Sequence, residues 1–541
     1  MAQNNESLRH FITAEEAFPE MEALVLSATE RLCCGLHIFS PRTKMRSRQA
    51  HRSGIVDWGG LLADALSRGV HIRILLNDFD PVGAPDMHAS VWERIGLFGE
   101  ALADLDASAR GRLEMLVAHP GGQAGFVLRA AIWPKVRAMM RSTRRQFAEE
   151  GRPLPPGLRP DLPGDATIAW WPPRPNFTQT MHQKFLVADG RRAVLGGLDI
   201  DERRYDDPGH RRKADQTWHD VSVSFEGDPA ADLQAHFDTC WKAVRRDGAS
   251  HADAYRRQHP ESPIKFVEPD PGSKGETGPP ALPDRNGLRI AVTRPVMGRS
   301  PLRFGPSPRQ CSLERVHVDL IGSARRLLYL ETQFFRSSII RDALAAAMAR
   351  NQGLHVIMLL PGAPDVVAYD GKKSGVHRYG EWLQMRALNR LSSQFPDRFG
   401  AFSLTNDRTR SEQHERDALH GKAMVYVHSK LAVADDRSAI VSSANLNARS
   451  MQWDIEAGIA VDDARFAAAL RTDLWRSHLG DVAMTLDPND DPAGALAVWH
   501  EQAAERRAAG SAPAKAGVVP FPLERTRRFA KRHIFLPEQL V

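Results

Sequence analysis

Apolar residues recur at helical spacing and then gather into short unbroken runs, and this alternation occurs twice along the chain. ALVLSATERLCCGLHIF followed by WGGLLADALSRGVHIRILLND predicts helix, strand, helix, strand; VHVDLIGSARRLLYLETQFF followed by SIIRDALAAAMARNQGLHVIMLLP predicts the same order. In each, a periodic helix leads into a β-branched or leucine-rich run of strand length, the alternation of α/β architecture. Two predicted hairpins sharpen the repetition. MHQKFLVADGRRAVLGGLDI, at 181–200, reappears in outline as VHSKLAVADDRSAIVSSANLN, at 427–447. Both read His-x-Lys, four residues, Asp, then six residues and a small pair, Gly196 and Gly197 or Ser442 and Ser443. The two histidines lie 246 positions apart (428 minus 182). That spacing is far beyond a solenoid period, so the pattern reads as a duplicated domain.

A chain of 541 residues exceeds the size at which one hydrophobic core usually stops growing, which fits two halves. The first is expected over 1–267. A linker rich in Pro, Gly and charge, EPDPGSKGETGPPALPDRNG, follows at 268–287, and the second half runs over 288–486. Residues 487–541, Ala- and Arg-rich and ending in FPLERTRRFAKRHIFLPEQLV, read as an appended tail. A second Pro-rich stretch, GRPLPPGLRPDLPGD at 151–165, reads as a surface loop near the first hairpin.

Composition narrows the class. The hydrophobic fraction of 42% and charged fraction of 26% are those of a globular protein. No apolar run approaches the roughly 18 residues that span a bilayer. The start, MAQNNESLRHFITAEEAF, lacks the basic and apolar regions of a Sec signal. A cytoplasmic or peripheral membrane location is expected, with delivery by a signal-less secretion system also compatible. Cys33, Cys34, Cys240 and Cys311 are too few and too scattered for a disulfide framework or a zinc pair. The net charge of +6 tilts toward an anionic partner without identifying one.

On a regular strand, residues two apart share a face, so His182 would point with Lys184, and His428 with Lys430. Asp189 and Asp435 stand an odd number of residues from their histidines and fall on the opposite face, which predicts a structural role in the turn or in an ion pair. One such motif carries little weight. Two copies with matching hairpins and small pairs carry much more.

The paired His-x-Lys-x4-Asp elements resemble the signature of the phospholipase D superfamily. GGLDIDERRYDDPGH and TWHDVSVSFEGDPAADL look like the first-half run of the eukaryotic-type phospholipases D. YVHSKLAVADDRSAIVSSANLNARSM, WDIEAGIAV and LWRSHLG are similar to the second half, which YLETQFF opens. The chain departs from the family in Ser442 and Ser443, where Gly-Ser is usual, in Asp199 at the position of Asn445, and in lacking the lipid-targeting modules of plant and animal members. The resemblance implies a duplicated α/β fold of two α/β/α sandwich halves with one active site between them.

It also implies a mechanism that these residues could perform. Lys184 and Lys430 would neutralise a phosphodiester. A neutral imidazole, assigned by the resemblance to His182, would attack phosphorus to form a phosphohistidine. His428 would act as general acid and then base; near-symmetry leaves the reverse assignment open. Each imidazole is expected to have an orienting carboxylate. Asp220 and Glu456, each leading an apolar strand after its motif, are the candidates, with Asp454 as a fallback. Ser443 and Asn445 can donate neutral hydrogen bonds to phosphate, while Asp199 is expected to hold a loop or a lysine. The basic run ERRYDDPGHRRKADQ is expected near the mouth of the site. His219 and Trp218 are as compatible with packing as with substrate contact.

No metal or cofactor is expected, because the remaining histidines lack ligand spacing. The implied function is hydrolysis of the distal phosphodiester of a glycerophospholipid to phosphatidic acid and head-group alcohol, with transphosphatidylation to alcohols. Alternatives are a phosphatidyltransferase of the cardiolipin synthase type, a superfamily nuclease, or a degenerate lipid-binding scaffold. The expected partners are phospholipid and a peripheral membrane surface, with no nucleic acid, and a monomeric chain. The basic ERTRRFAKRH could dock on anionic lipid.

Overall fold

The computed structural model describes residues 8–158, 178–270, 282, 287–406, 416–508 and 516–541. Most of the expected linker at 268–287, and residues 159–165 of the Pro-rich stretch, lie outside the described residues. The first sheet contains β1 (Arg9–Ile12), β2 (Arg31–Leu36), β3 (His71–Asn77), β4 (Leu113–Ala118), β5 (Phe185–Ala188), β6 (Arg192–Gly196) and β7 (Val221–Glu226). The second contains β8 (Leu288–Val296), β9 (Ser307–Cys311), β10 (Leu327–Glu331), β11 (His355–Leu359), β12 (Phe399–Asn406), β13 (Ala418–Leu419), β14 (Lys422–Val425), β15 (Leu431–Ala434), β16 (Ser438–Ser442), β17 (Glu456–Val461) and β18 (Gly517–Pro520).

Strand order carries the duplication. The first sheet runs β1-β7-β6-β5-β2-β3-β4, and the second contains the corresponding order β8-β17-β16-β15-β10-β11-β12. In both, the three strands at the end of this order are parallel and the hairpin strands are antiparallel to their neighbours. The second sheet adds β9 beside β8, and β14 and β18 against β12. The fold is a mixed α/β duplication.

Period-two alternation sorts the strand side chains between cores. Leu186 and Ala188 enter a core under the first half's outer helices, including Thr13–Ser27 and Trp58–Ser67, whereas Phe185 and Val187 enter a core shared by both sheets. Ala432 and Ala434 likewise face the second half's outer helices, and Leu431 and Val433 the shared core. Helices Asp228–Asp247, Ala464–Leu479 and Pro492–Ala508 also contribute to the shared core.

The expected tail is part of this architecture. Ala495, Leu496, Trp499 and Ala503 are buried at helical spacing on Pro492–Ala508, and Trp499 packs against Tyr329 and Trp475. Beyond it, β18 pairs with β12. The alanine-rich composition concealed a helix whose one bulky anchor lies at the centre of the molecule.

The motif aspartates close the hairpins. Asp189 and Asp435 adopt positive φ in the turns, and their carboxylates accept hydrogen bonds from the backbone that opens β2 or β10. Asp189 takes the amides of Thr29, Glu30 and Arg31; Asp435 takes those of Arg325, Arg326 and Leu327. They cap a neighbouring strand and make no contact with their own motif histidines. Hydrogen bonds to an ionised group contribute about 1.5–3 kcal/mol each to stability, so Asp189→Ala and Asp435→Ala should each lower the urea midpoint by an amount corresponding to at least about 1.5 kcal/mol. An unchanged midpoint would remove the strand-capping role.

Candidate active site

The two motifs approach one another through reciprocal backbone pairing. Met181 bridges Ile455 in parallel, and the amides of His182 and Gln183 both donate to Ile455 O at 2.9 and 3.0 Å. His219 bridges Val427 in the same way, and the amides of His428 and Ser429 donate to His219 O at 2.8 and 3.1 Å. The motif histidines and lysines therefore precede β5 and β15 instead of lying within regular strands. Each is clamped to the segment that opens the last strand of the opposite half.

That clamp crosses the imidazole–carboxylate pairs. His182 Nδ1 lies 2.9 Å from Glu456 Oε1, and His428 Nδ1 lies 2.6 Å from Asp220 Oδ2. Each carboxylate orients the histidine of the other half, although each follows its own half's motif in sequence. Both acids are fully buried, and with Nδ1 engaged, Nε2 of each ring is the nitrogen left for chemistry.

The lysines are buried with them. Lys184 Nζ donates to His182 O at 2.6 Å and lies 3.8 Å from Asp199 Oδ2; Lys430 Nζ donates to His428 O. Asp199 holds both a loop and a lysine: its Oδ1 accepts the amides of His37 and Ile38 while Oδ2 faces Lys184.

Charge is scarce in so enclosed a place. Burial, then Lys184 and Lys430, hold the His182 pKa well below its ordinary value; burial, Lys430 and Arg204 do the same to His428. Burial raises Asp220 to about 6 and Glu456 to about 7. It also lowers Lys430 to about 7, against the pull of Asp220. Lowered imidazole and raised carboxylate pKa values bring the two members of each hydrogen-bonded pair together, so that each pair can share one proton.

Comparison with known proteins adds to the geometry. A cardiolipin synthase, PLD-like domain model matches residues 317–477. Phospholipase D zeta 2 of Arabidopsis thaliana is 22% identical over 468 residues, covering 58% of this chain and 44% of that protein. Phospholipase D1 of Saccharomyces cerevisiae is 24% identical over 391 residues, covering 55% and 22%. Phospholipase D1 of Homo sapiens is 25% identical over 316 residues, covering 51% and 28%. The chain belongs to the phospholipase D superfamily. It spans less than half the length of each of these three relatives. Among solved structures, phosphatidylserine synthase of Haemophilus influenzae Rd KW20 is similar with a TM-score of 0.44 at 13% identity, over 88% of this chain and 86% of that one.

Within this superfamily site, several expectations need correction. Ser443 is not free to donate to phosphate: its hydroxyl donates to Glu456 and is fully buried. The equivalent Gly197 has the complementary role. A Cβ there would stand 2.1 Å from Asp220 Oδ1, so the shorter acid reaches His428 only past a glycine. Gly196 is similarly confined, its Cβ position lying 2.4 Å from Val221 O. Asn445 is buried, donates to Gln333 at 3.2 Å, and leaves Oδ1 without a hydrogen bond. Asp454 accepts the Thr180 amide and pairs with Arg449, a positioning role distinct from that of Glu456.

Other residues complete the surroundings of the site, among them His37 and Glu331, which the sequence did not single out. His37 stands edge-on to His182 with ring centroids 4.9 Å apart and bonds Met181 O. Trp218 lies 4.5 Å from the His428 ring, and Arg204 covers the Trp218 ring at 3.8 Å. Arg204 Nη1 is buried without a hydrogen bond, a further cation next to the His428–Asp220 pair. Glu331, in the quoted YLETQFF, accepts from Tyr329 and Ser429 and contacts His219 and His478 at 2.9 and 3.0 Å. Burial alone would raise its pKa, but the two imidazoles hold it well below the ordinary range. No local spacing marks this cluster, since its members lie in both halves.

A cleft of about 770 Å3 is lined by both halves, including Phe79, Arg94, Arg203, Arg204, Lys213 and Asp365, and touches the site's surroundings at Arg204. The basic run at 202–216 thus borders the cleft.

Glu456→Gln and Asp220→Asn keep the shape but replace the ionisable carboxylate that fixes the imidazole with a neutral amide. Each should lower kcat by about 10²- to 10⁴-fold while circular dichroism stays unchanged. Their stability effect has a defined sign. A folded pKa raised from 4.5 to about 7 at Glu456 means the native state holds that proton more tightly than the unfolded chain. The resulting stability is present below 4.5 and lost as pH rises to about 7. The melting temperature of Glu456→Gln relative to wild type should therefore climb across this window. A difference independent of pH would refute the raised carboxylate.

Proposed function

We propose that the chain is a phospholipase D that hydrolyses the distal phosphodiester of glycerophospholipids to phosphatidic acid and a head-group alcohol. The observation that carries this reading is the crossed pairing of two imidazoles with two buried carboxylates beside two buried lysines. A hydrolase needing one general base alone would not require such a duplicate.

His182 Nε2 attacks phosphorus in line, forming the N–P bond as the P–O bond to the head group breaks. The proton held by the His428–Asp220 pair passes to the departing alkoxide. His428, now neutral, takes a proton from water as its oxygen attacks phosphorus, and the N–P bond breaks to release phosphatidate and restore His182. Lys184, Lys430 and Arg204 oppose the charge on the equatorial oxygens. His182 suits the nucleophile's place because its side chain is more accessible, at 16% against 7% for His428.

A primary alcohol can replace water in the second step by the same proton path. The similarity to a cardiolipin synthase domain model favours phosphatidyl transfer as the second reading, with the physiological acceptor an alcohol of another lipid.

Incubation with phosphatidylcholine vesicles and a primary alcohol should yield phosphatidic acid and phosphatidyl-alcohol. DNA cleavage without lipid turnover would overturn the reading. His182→Ala and His428→Ala should each abolish turnover, and rapid quenching with lipid labelled at phosphorus should trap label on His182. Activity near wild type in either variant removes the two-histidine mechanism.

The membrane partner in this reading meets an exposed edge. Ile534 and Phe535 are 77% and 79% exposed and follow Lys531 and Arg532, uniting apolar anchors with cations. Flotation with anionic vesicles should fall for Ile534→Ser combined with Phe535→Ser. Equal flotation would exclude this edge as the contact.

A further inference from the structure

Behind the first half of the site, four side chains from distant parts of the sequence converge. Asp78 follows β3, His88 lies on helix Pro85–Ala101, His119 follows β4, and His251 precedes helix Ala252–Gln258. Asp78, His88 and His119 are buried, while the His251 side chain retains 19% exposure. One candidate ligand atom from each lies within 4.8 Å of the other three.

The contacts converge on the carboxylate. His88 Nδ1 is 2.7 Å from Asp78 Oδ1; His251 Nδ1 and His119 Nε2 are 3.0 and 3.4 Å from Oδ2. His119 Nε2 is fully buried, points into this group and makes no hydrogen bond. An uncharged packing role would leave that nitrogen uncompensated in the interior.

The surroundings orient the ligands. His88 Nε2 lies 2.7 Å from Pro156 O, a partner that fixes its hydrogen there and turns the Nδ1 lone pair inward. Gly157, at φ 84°, leaves room for His251, whose ring would stand 2.6 Å from a Cβ at that position. The described end of the Pro-rich stretch thus covers the cluster.

We propose that Asp78, His88, His119 and His251 bind one divalent transition-metal ion of the zinc class. Three imidazoles and one carboxylate select a borderline cation over calcium or magnesium, which take mainly oxygen ligands. Tetrahedral ligand atoms around zinc stand about 3.3 Å apart, close to the three contacts around Asp78. Four protein ligands close the coordination sphere, so the ion would be structural and no reaction step passes through it. His251 provides the exposed edge for entry.

The site would brace the catalytic half. Asn77, beside Asp78, accepts the Met181 amide at 2.8 Å, one residue before His182. A metal joining the ends of β3 and β4 to the Pro85–Ala101 helix would hold that anchor in place.

The full chain, stripped with EDTA, dialysed and then incubated with excess Zn²⁺, should retain one Zn²⁺ per molecule after gel filtration by elemental analysis. Co²⁺ in its place should give the visible absorption of a tetrahedral site, and Zn²⁺ should raise the melting temperature. His119→Asn removes a nitrogen that makes no hydrogen bond, so this variant should fold as the stripped wild type does yet lose Zn²⁺ retention and the Co²⁺ spectrum. His251→Asn, at the exposed edge, gives the same test should the first variant misfold. The exposed control His71→Asn should behave as wild type. No retained Zn²⁺ in the wild type, or equal retention in folded His119→Asn or His251→Asn, would overturn the proposal. Lipid turnover measured alongside separates it from the phospholipase reading, which needs no metal.

Discussion

The placement of two buried carboxylates in the opposite half from the imidazoles they orient constrains the rest of the structure. A carboxylate out of water is unfavourable unless hydrogen bonds or charge offset its desolvation. Across the interface His428 and His182 supply part of this to Asp220 and Glu456, beside the Val221 amide on Asp220 and the Ser443 hydroxyl on Glu456. The reciprocal bridges at Ile455 and His219 deliver each histidine to that position. Neither half contains a complete pair. The common core beneath the two sheets, including Phe185, Tyr329, Trp475 and Trp499, is what holds the crossed geometry together.

Duplication produced the frame without producing two identical pairs. In one, the shorter Asp220 approaches past Gly197; in the other, the longer Glu456 is held by Ser443. Their neighbours differ as well: His182 meets the edge of His37, whereas His428 lies against Trp218 beneath Arg204. Equal backbone frames thus give the imidazoles unequal access and unequal electrostatic company. In the proposed mechanism, that difference suits one ring to accept phosphorus and the other to carry a proton.

The repeated hairpins and the α/β order were legible because they rest on local periodicity and a spacing preserved between copies. His182, Lys184, His428 and Lys430 could be located for the same reason, and Asp220 and Glu456 by their places at strand starts. Crossing of the pairs was not legible, since sequence distance favours the acid of the same half and only the Ile455 and His219 bridges reveal the exchange. Ser443 read as a phosphate donor because its hydroxyl is chemically suitable; its commitment to Glu456 depends on burial. His37, Arg204 and Glu331 had no periodic partner to mark them. The helix around Trp499 was hidden by alanines that look like tail composition but supply a smooth packing face.

The low charge of the site follows from the same burial and explains why an anion belongs there. Lys430 falls from 10.5 to about 7 chiefly through desolvation. An anion about 4 Å away interacts with a lysine by about 4 kcal/mol at an effective dielectric of about 20, equivalent to about three pH units in a pKa. This matches the size of the depression. A bound phosphodiester can therefore restore the lysine's charge, and by the same sign favour a proton on His428 over Asp220. On the proposed reading, the site becomes more cationic when an anionic substrate binds, because Lys430 then regains its proton. On that reading, electrostatics couples binding to acid catalysis.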